Sequence, residues 1–351
     1  MTIKPLEVNS KNLSLMKALT NADYNKKTIL TNSAWEYVEL WLKRQKKEGE
    51  RALFYWKQAH NFYNASECLS LESKPLTAYY CCLNATKALL KIKKGEEINL
   101  VSIHHGISST RNQWSNTNIQ KAEVIFRENG VLYELSRYLG EESTRQNYSV
   151  FNLLYNLPCV HRAFSITYGC AELFIPIRDV KYVVDTGEKK GYIQFLIDER
   201  YANGNSLRYV PKQYEKINYT NDARCFMKKK DGFCWDIHEN IKLRLNNISR
   251  YHSEVRKDLH YIFGDTRLWY LKKDNQSNPR ILKRNSLTLI FAIMHWLSEL
   301  TRYNPEKFEK IMRTKQNWLI CEFLNNALYQ FIDEISCEIT SVDIMTAGHR
   351  K

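Results

Sequence analysis

One segment limits the possible folds more than any other, the apolar stretch from Pro75 to Lys91. Its apolar residues follow helical spacing and lie on most sides of the helix that this spacing predicts: Ala78, Tyr79, Cys82, Leu83, Ala85, Ala88, Leu89 and Leu90. Pro75 is favourable in the first turn of a helix. A helix that is apolar on nearly all sides needs several helices around it, so the sequence predicts a helical core.

Further helices are predicted on both sides of this segment along the chain. Residues 33–66, 149–157 and 160–174 have helical patterns, and Ser33 is of a type that caps helix starts. Two apolar stripes indicate C-terminal helices: Leu287, Ile290, Phe291, Met294, Leu297 and Leu300 in the first, and Leu324, Leu328, Phe331 and Ile335 in the second.

Strand signals are concentrated in the middle of the chain. Val180–Val184 and Tyr192–Ile197 flank a turn that contains two glycines. Shorter β-like pieces occur at residues 207–210, 224–227, 232–236 and 267–271. Earlier, a strand-like piece at 124–126 precedes Asn129-Gly130, a pair that favours a hairpin. The sequence therefore predicts an α+β protein that is mainly α, with a smaller β-containing region.

These patterns divide the chain into five parts. We expect an N-terminal arm at residues 1–30, a helical region at 31–174, a basic β-rich central region at 175–285, C-terminal helices at 286–340 and a tail at 341–351. Both helical regions have apolar faces that need partners, and the polar central region offers few. We therefore expect the C-terminal helices to pack on the first helical region, with the central α/β region as an insertion.

The charge balance suggests a polyanionic partner. There are 52 lysines and arginines against 38 aspartates and glutamates, a net charge of +14. Such an excess raises the local concentration of RNA or DNA, although basic proteins without such a role also exist. Nine cysteines without a CxxC pair argue against a disulfide framework or a zinc ribbon, and they indicate a reducing compartment.

No segment predicts a membrane span or a signal peptide. The longest apolar run, Leu287 to Leu300, is broken by His295 and Glu299 and is shorter than the roughly 18 residues that a span needs. The N-terminus has no apolar signal-peptide core. We expect a cytoplasmic protein without a membrane partner.

Two histidine-containing segments are candidates for catalysis. His104-His105-Gly106 follows the apolar helix, and histidine is an acid or base near neutral pH. The alternative is that one imidazole only caps a neighbouring helix. Arg256 and His260 form the second, weaker pair. The acid–lysine run Glu188-Lys189-Lys190 resembles a nuclease metal site, but a solvated hairpin tip is the favoured interpretation.

No cofactor or metal site is predicted from the remaining motifs. The chain has no Walker A motif, no dinucleotide glycine fingerprint, no G-x-S-x-G and no HExxH. Arg162 and Arg302 lie in apolar helical stretches, which favours internal ion pairs over a phosphate clamp.

Basic residues interleaved with aromatic ones predict a nucleic-acid surface. Lys228, Lys229 and Lys230 lie between Phe226 and Phe233, and lysines neutralise phosphates while rings stack on unpaired bases. A second basic set follows at Lys272, Lys273, Arg280, Lys283 and Arg284. The alternative for the first set is a solvated lysine turn between two strands.

Three segments together resemble the YaaC-like family. They are residues 54–63 (FYWKQAHNFY), residues 74–90 (KPLTAYY continuing into LNATKALL) and His105-Gly106-Ile107. The resemblance implies kinship without a particular reaction, and no catalytic residue is carried over from it.

A looser likeness is to HEPN-type helical domains. It rests on the Tyr79-Tyr80 pair, the Ala-x-x-Leu-Leu pattern and a later histidine. This likeness implies a HEPN-like helical bundle with the central α/β insertion. Many such domains are ribonucleases with Arg, four to six residues and then His on one helix. Arg256 and His260 have only three residues between them, which departs from that motif.

These observations favour a nucleic-acid-associated or partner-dependent component of a bacterial defence or stress system. One alternative is a nuclease, HEPN-like or metal-dependent, with a non-standard site at His105 or His260. Another is a non-catalytic interaction subunit that binds a protein encoded nearby or forms a homodimer or higher oligomer. Whether the protein is an enzyme stays open at this point.

Overall fold

The computed structural model describes residues 3–8, 10–95, 103–110, 118–219, 222–264, 268–275 and 277–346. Its strands are β1 (Ile3–Pro5), β2 (Glu7–Val8), β3 (Lys11–Asn12), β4 (Ile29–Thr31), β5 (Ile107–Ser109), β6 (Glu123–Phe126), β7 (Gln146–Ser149), β8 (Phe174–Asp185), β9 (Lys190–Ile197), β10 (Tyr214–Tyr219), β11 (Asp222–Lys229), β12 (Phe233–Cys234), β13 (Leu259–Ile262), β14 (Leu268–Lys272) and β15 (Ile344–Thr346). Its helices are α1 (Ala34–Lys43), α2 (Lys47–Glu67), α3 (Lys74–Lys94), α4 (Val131–Tyr138), α5 (Val150–Tyr155), α6 (His161–Tyr168), α7 (Gly204–Leu207), α8 (Ile241–Val255), α9 (Ser286–Tyr303), α10 (Pro305–Met312) and α11 (Asn317–Thr340).

The chain divides into two compact units. Unit 1 consists of residues 1–29, 172–279 and 341–343, and unit 2 consists of residues 30–171, 280–340 and 344–351. Each unit therefore draws on distant parts of the sequence. The five-part division read from the sequence stays a prediction.

Unit 1 is built on an eight-stranded antiparallel sheet. The strand order is β10-β11-β9-β8-β14-β13, with β1 paired to β8 and β12 paired to β9. Central strand β9 is buried almost throughout, from Gly191 to Ile197. Helix α8 begins at Asn240, whose side chain accepts a hydrogen bond from the Lys242 backbone N–H at 2.8 Å.

A buried hydrogen-bond network connects α8 to the N-terminal segment of unit 1. The His252 Nε2 atom lies 2.6 Å from the Ala18 carbonyl oxygen, and its Nδ1 lies 2.8 Å from the Tyr24 hydroxyl. The Tyr24 hydroxyl also lies 2.9 Å from the Tyr182 hydroxyl on β8. Because all three side chains are buried, this network fixes the course of the segment before β4.

The expected HEPN-like helical bundle with a central insertion is wrong. Among the described residues 47% are helical and 22% are in strands, and the large antiparallel sheet makes the fold an α+β mixture. Sequence reasoning missed β10, β13 and the 15-residue helix α8. Without them the central region looked like an insertion too small to form a sheet of this size.

Unit 2 is organised around α3, which packs against α2, α9 and α11. The apolar residues that predicted this helix are buried, and Pro75 lies in its first turn. Ser33 caps α1 by accepting a hydrogen bond from the Glu36 backbone N–H. Helices from both halves of the sequence therefore share one core, because α3 has apolar side chains on nearly every side.

Three local predictions differ from the structure. The helix expected at residues 160–174 is shorter, because α6 ends at Tyr168 and β8 begins at Phe174. Residues 123–126 form β6 as expected, but Asn129-Gly130 makes no hairpin, because Gly130 is instead the residue before α4. Residues 207–210 do not form a strand either, since α7 ends at Leu207 and a turn follows.

Candidate functional site

The loop that carries His104 and His105 is held by the first turn of α4. The free backbone N–H groups of Val131 and Leu132 donate to the carbonyl oxygens of His104 and His105, at 2.9 and 3.1 Å. The two carbonyl oxygens thus provide hydrogen-bond partners for backbone N–H groups at the start of α4, where no side chain caps the helix. It also fixes the backbone of both histidines, so their placement does not depend on their imidazoles.

A pair of glycines makes this close approach possible. Gly130 has φ +107, and a Cβ atom there would lie 2.4 Å from the Gly106 Cα. Gly106 itself has φ +82. Both positions need glycine, because other residues rarely adopt these conformations and have no room here.

His105 lies half-buried against two other rings. Its ring centroid is 5.4 Å from that of Tyr79 on α3 and 6.1 Å from that of His295 on α9. Burial lowers the pKa of His105, and the positive charges of Lys87, His104 and Arg302 lower it further. The imidazole is therefore neutral at pH 7, the form that accepts a proton.

Behind His105, three buried polar atoms have no hydrogen-bond partner among the described residues. They are the Tyr79 hydroxyl, the His295 Nδ1 and the Glu299 Oε2. The Tyr79 and His295 ring centroids are 5.0 Å apart, and the His295 Nδ1 lies 3.9 Å from the Glu299 Oε2. Buried polar atoms normally have partners, so this group is a candidate ligand site.

The solvent side of His105 carries unpaired cations and aromatic rings. Neither Lys87 nor Arg302 forms an ion pair with a carboxylate of the described residues. The Lys87 ammonium lies 5.5 Å from the centre of the Tyr55 ring. Two helical turns away along α2 and α3, Phe62 and Tyr80 stack with centroids 5.2 Å apart. We call His104, His105, Lys87, Arg302, Tyr55, Phe62 and Tyr80 the His105 face.

The exposed position of Arg302 contradicts the prediction that this arginine forms an internal ion pair. Its side chain is exposed at the end of α9 and lies over the Tyr303 ring at 4.9 Å. Arg162 is exposed as well. The apolar neighbours of these arginines in sequence face the core, and the arginines are on the other side of their helices.

The second catalytic candidate is part of the unit 1 core. Arg256 is 1% exposed, donates to the Leu259 carbonyl oxygen and lies against the Tyr261 and Trp269 rings. His260 is 3% exposed on β13, and burial holds its pKa well below the usual range. Since the arginine caps α8 and the histidine is on a strand, they do not share a helix as the ribonuclease motif requires.

The lysine run of unit 1 is mostly engaged with its neighbours. Lys228 forms an ion pair with Glu215 at 3.3 Å and lies over the Tyr192 ring. Lys229 lies over the Tyr251 ring at 5.2 Å, and Lys230 is exposed. The arrangement of these lysines therefore resembles the alternative interpretation, a lysine turn between two strands whose aromatic residues face a core.

The second basic set is divided between the two units. In unit 1, Lys272 is buried and the Lys273 ammonium donates to the Glu172 carbonyl oxygen at 2.6 Å. In unit 2, Arg280 and Lys283 are exposed. Arg284 is buried and forms an ion pair with Glu141 at 3.1 Å, so it is not available to a phosphate.

The acid–lysine run is the tip of the β8–β9 hairpin, as the favoured interpretation predicted. The Asp185 carboxylate accepts hydrogen bonds from the Gly187 and Glu188 backbone N–H groups. The Lys189 ammonium pairs with Asp236 at 2.7 Å. Within the described ranges, no group of three or more His, Cys, Asp or Glu side chains is arranged to hold a metal ion.

Sequence reasoning missed Tyr79, Lys87, His295 and Glu299 as members of one site. The signal for the last two was present, since both are polar residues one helical turn apart in the most apolar run of the chain. Such a pair is costly to bury and so points to a function. Nothing in the sequence indicated that it would lie beside His105.

The geometry defines a two-unit α+β protein whose helical unit presents a neutral histidine among cations and aromatic rings. The chain belongs to the YaaC-like family: the family described as YaaC-like Protein matches residues 15–339. This match confirms the resemblance read from the sequence. No curated protein and no solved structure matches the chain. None of the helices in the described ranges has the length and apolarity that crossing a membrane requires.

Proposed function

We propose that this protein binds single-stranded nucleic acid in the cytoplasm through the His105 face. The observation that carries the proposal is the pairing of two cations, which have no carboxylate partner among the described residues, with half-buried aromatic rings. Lys87 and Arg302 both act electrostatically on His105, so both lie near it. Cations of this kind neutralise phosphates, and neighbouring rings stack on unpaired bases.

The His105 face is better suited to phosphate than the lysine run is. Lys228 already has a carboxylate partner and an aromatic one, so binding a phosphate would first break those contacts. Among the described residues Lys87 lies over an aromatic ring and pairs with no carboxylate, and burial lowers its pKa. A partly desolvated ammonium without a carboxylate gains more from an incoming anion than a paired one does.

The test is the affinity for a fluorescent single-stranded oligonucleotide across a series of salt concentrations. We expect binding that weakens with salt, and a logarithmic slope smaller by roughly one for each of Lys87→Gln and Arg302→Gln. Lys310→Gln is the matched control, because Lys310 is an exposed lysine on α10 of the same unit and does not belong to the His105 face. Binding that is absent at low salt, or equally strong in all three variants, contradicts the proposal.

A second candidate function is cleavage of the bound strand with His105 as general base. The specific observation is the lowered pKa of a half-buried imidazole next to two cations. The neutral imidazole would take the proton of a ribose 2′-hydroxyl, whose oxygen attacks the adjacent phosphorus. Lys87 and Arg302 would stabilise the charge on the phosphoryl oxygens, and the departing 5′-oxygen would take a proton from solvent.

Cleavage is tested on RNA with and without Mg²⁺. We expect His105→Ala to lower the rate by roughly 100-fold or more, and His260→Ala to leave the chemistry unchanged in any fraction that folds. Protonation removes the base, and the pKa of His105 lies below the ordinary value of roughly 6.5, so the rate should fall with acid only below that pH. A rate that already falls between pH 9 and pH 7 would count against His105. Unchanged cleavage by His105→Ala would exclude this site.

The remaining functional predictions have less support. A defence or stress role rested on the HEPN likeness, which the eight-stranded sheet does not support. A pure interaction subunit, bound to a protein partner or to a second copy, is the outcome to pursue if no nucleic acid binds. The mass of the protein in solution then distinguishes a homodimer from a monomer that awaits another partner.

A further inference from the structure

We propose that Tyr79, His295 and Glu299 form a hydroxyl-binding site behind His105, and that its ligand is the ribose 2′-hydroxyl of a bound RNA strand. The inference rests on the proposed binding of nucleic acid at the His105 face, and it specifies that the nucleic acid is RNA. It assigns a role to three polar side chains that the binding of phosphates does not use.

The three side chains come from two helices and meet at one place. Tyr79 is 2% exposed on α3, and His295 is 5% exposed on α9. Glu299 follows His295 by one helical turn, and its charge is close enough to help raise the pKa of Tyr79, although burial is the larger cause. His105 touches the same group from the loop, with its ring against those of Tyr79 and His295.

Their chemistry complements a hydroxyl group. Burial keeps the Tyr79 phenol protonated, so it can donate a hydrogen bond to a hydroxyl oxygen. An oxygen of the Glu299 side chain can accept a hydrogen bond from the hydroxyl group. His295 is neutral, because burial lowers its pKa to about 3, and its Nδ1 can accept or donate according to tautomer.

Two of these atoms are spaced so that one oxygen can bond to both. The His295 Nδ1 and the Glu299 Oε2 are 3.9 Å apart, too far for a direct hydrogen bond and close enough for one oxygen to bond to both. A group that bonds to these atoms removes the penalty of leaving them buried without partners.

The position next to cations identifies the hydroxyl. Arg302 follows Glu299 by three residues on α9, which is one helical turn, so a phosphate bound to Arg302 places its ribose near the buried group. The Glu299 side chain is 26% exposed although its Oε2 atom is buried, so the group adjoins the surface at this residue. The 2′-hydroxyl is the group by which a protein distinguishes RNA from DNA at a given position.

The test compares single-stranded RNA and DNA of one sequence, with the DNA carrying uracil in place of thymine. The full-length protein is expected to prefer RNA by roughly three- to tenfold, the effect of one or two neutral hydrogen bonds. Tyr79→Phe and Glu299→Gln should each lower RNA affinity several-fold and leave DNA affinity unchanged. Lys87→Gln is the comparison variant, because it should weaken both strands by the same factor.

Each outcome decides between the two proposals. Equal affinity for RNA and DNA, or a preference that persists unchanged in folded Tyr79→Phe and Glu299→Gln, means that the buried group holds a structural water only and overturns this inference alone. A protein that binds neither strand at low salt overturns the proposed function and this inference with it. An oligonucleotide with a single 2′-O-methyl group walked along its length should lose affinity at one position if the inference is correct.

Discussion

Arg284 and Glu141 form an ion pair inside unit 2, with side chains only 2% and 3% exposed. Burial raises the pKa of Glu141, and the Arg284 charge opposes that rise. Arg284→Met should therefore lower the free energy of unfolding by about 3–5 kcal/mol, because it leaves the carboxyl buried without its partner. Chemical denaturation measures this loss.

The exposed neighbour provides the control, since Lys283→Met should change stability by less than about 0.5 kcal/mol. Adding Glu141→Gln to Arg284→Met should restore part of the loss, and a double variant no better than the single one would contradict this account.

Burial of His252 leads us to expect that the free energy of unfolding depends on pH in the acid range. Burial lowers its pKa in the folded protein to about 3, against roughly 6.5 when unfolded. Between these values the unfolded chain binds one more proton, so stability is fully present above about pH 6.5 and is lost as the pH falls towards 3. His252→Gln should reduce the pH slope of the unfolding free energy by about 1.4 kcal/mol per pH unit in that window. His238→Gln, at an exposed position, should leave the slope as it is. An unchanged slope in His252→Gln would mean that other groups cause the acid sensitivity.

At the scale of elements, the start of α4 and the histidine loop depend on each other through Gly130. In Gly130→Ala the new Cβ would lie 2.4 Å from the Gly106 Cα at a backbone φ of +107, so the loop must move away from the helix. We expect a loss of about 3 kcal/mol or more in unfolding free energy, together with weaker nucleic-acid binding. Gly140→Ala is a matched control, because Gly140 has φ +67 but no atom within 4 Å of the added methyl. It should cost only about 1 kcal/mol. Equal losses in the two variants would show that the contact with Gly106 is unimportant.

At the scale of the whole molecule, the core of unit 2 joins segments that are far apart in sequence. α9 and α11 pack on α3, although residues 172–279 of unit 1 lie between α3 and these two helices in sequence. A cut by trypsin at the exposed hairpin tip near Lys189 should therefore leave the two halves of unit 2 associated. Size-exclusion chromatography of the nicked protein measures this, with denaturing gels to confirm the cut. Fragments that separate without denaturant, each still folded, would show that the helices do not depend on a shared core.

The sequence indicated some residues of the candidate site, but it did not indicate which residues would lie together there. His104 and His105 stood out because two adjacent histidines beside a glycine are uncommon in an apolar context. His295 and Glu299 were visible only as interruptions of an apolar run. Their relation to Tyr79 depends on how α9 packs on α3, and periodicity does not determine which helix faces which. Arg256 and His260 illustrate the converse, since a promising pair in sequence proved to be part of a core.

What the sequence by itself determined was local and hydrophobic. Helices α3, α9 and α11 follow from their apolar spacing, and the β8–β9 hairpin follows from two apolar runs around a glycine turn, because burial of such faces dominates the energy of these segments. Only the tertiary structure decided the eight-stranded sheet. Its outer strands β10 and β13 are short, six and four residues, and exist because neighbouring strands supply their hydrogen bonds. The tertiary structure also decided that Tyr79, His105, His295 and Glu299 meet, since that requires three distant segments to pack around one core.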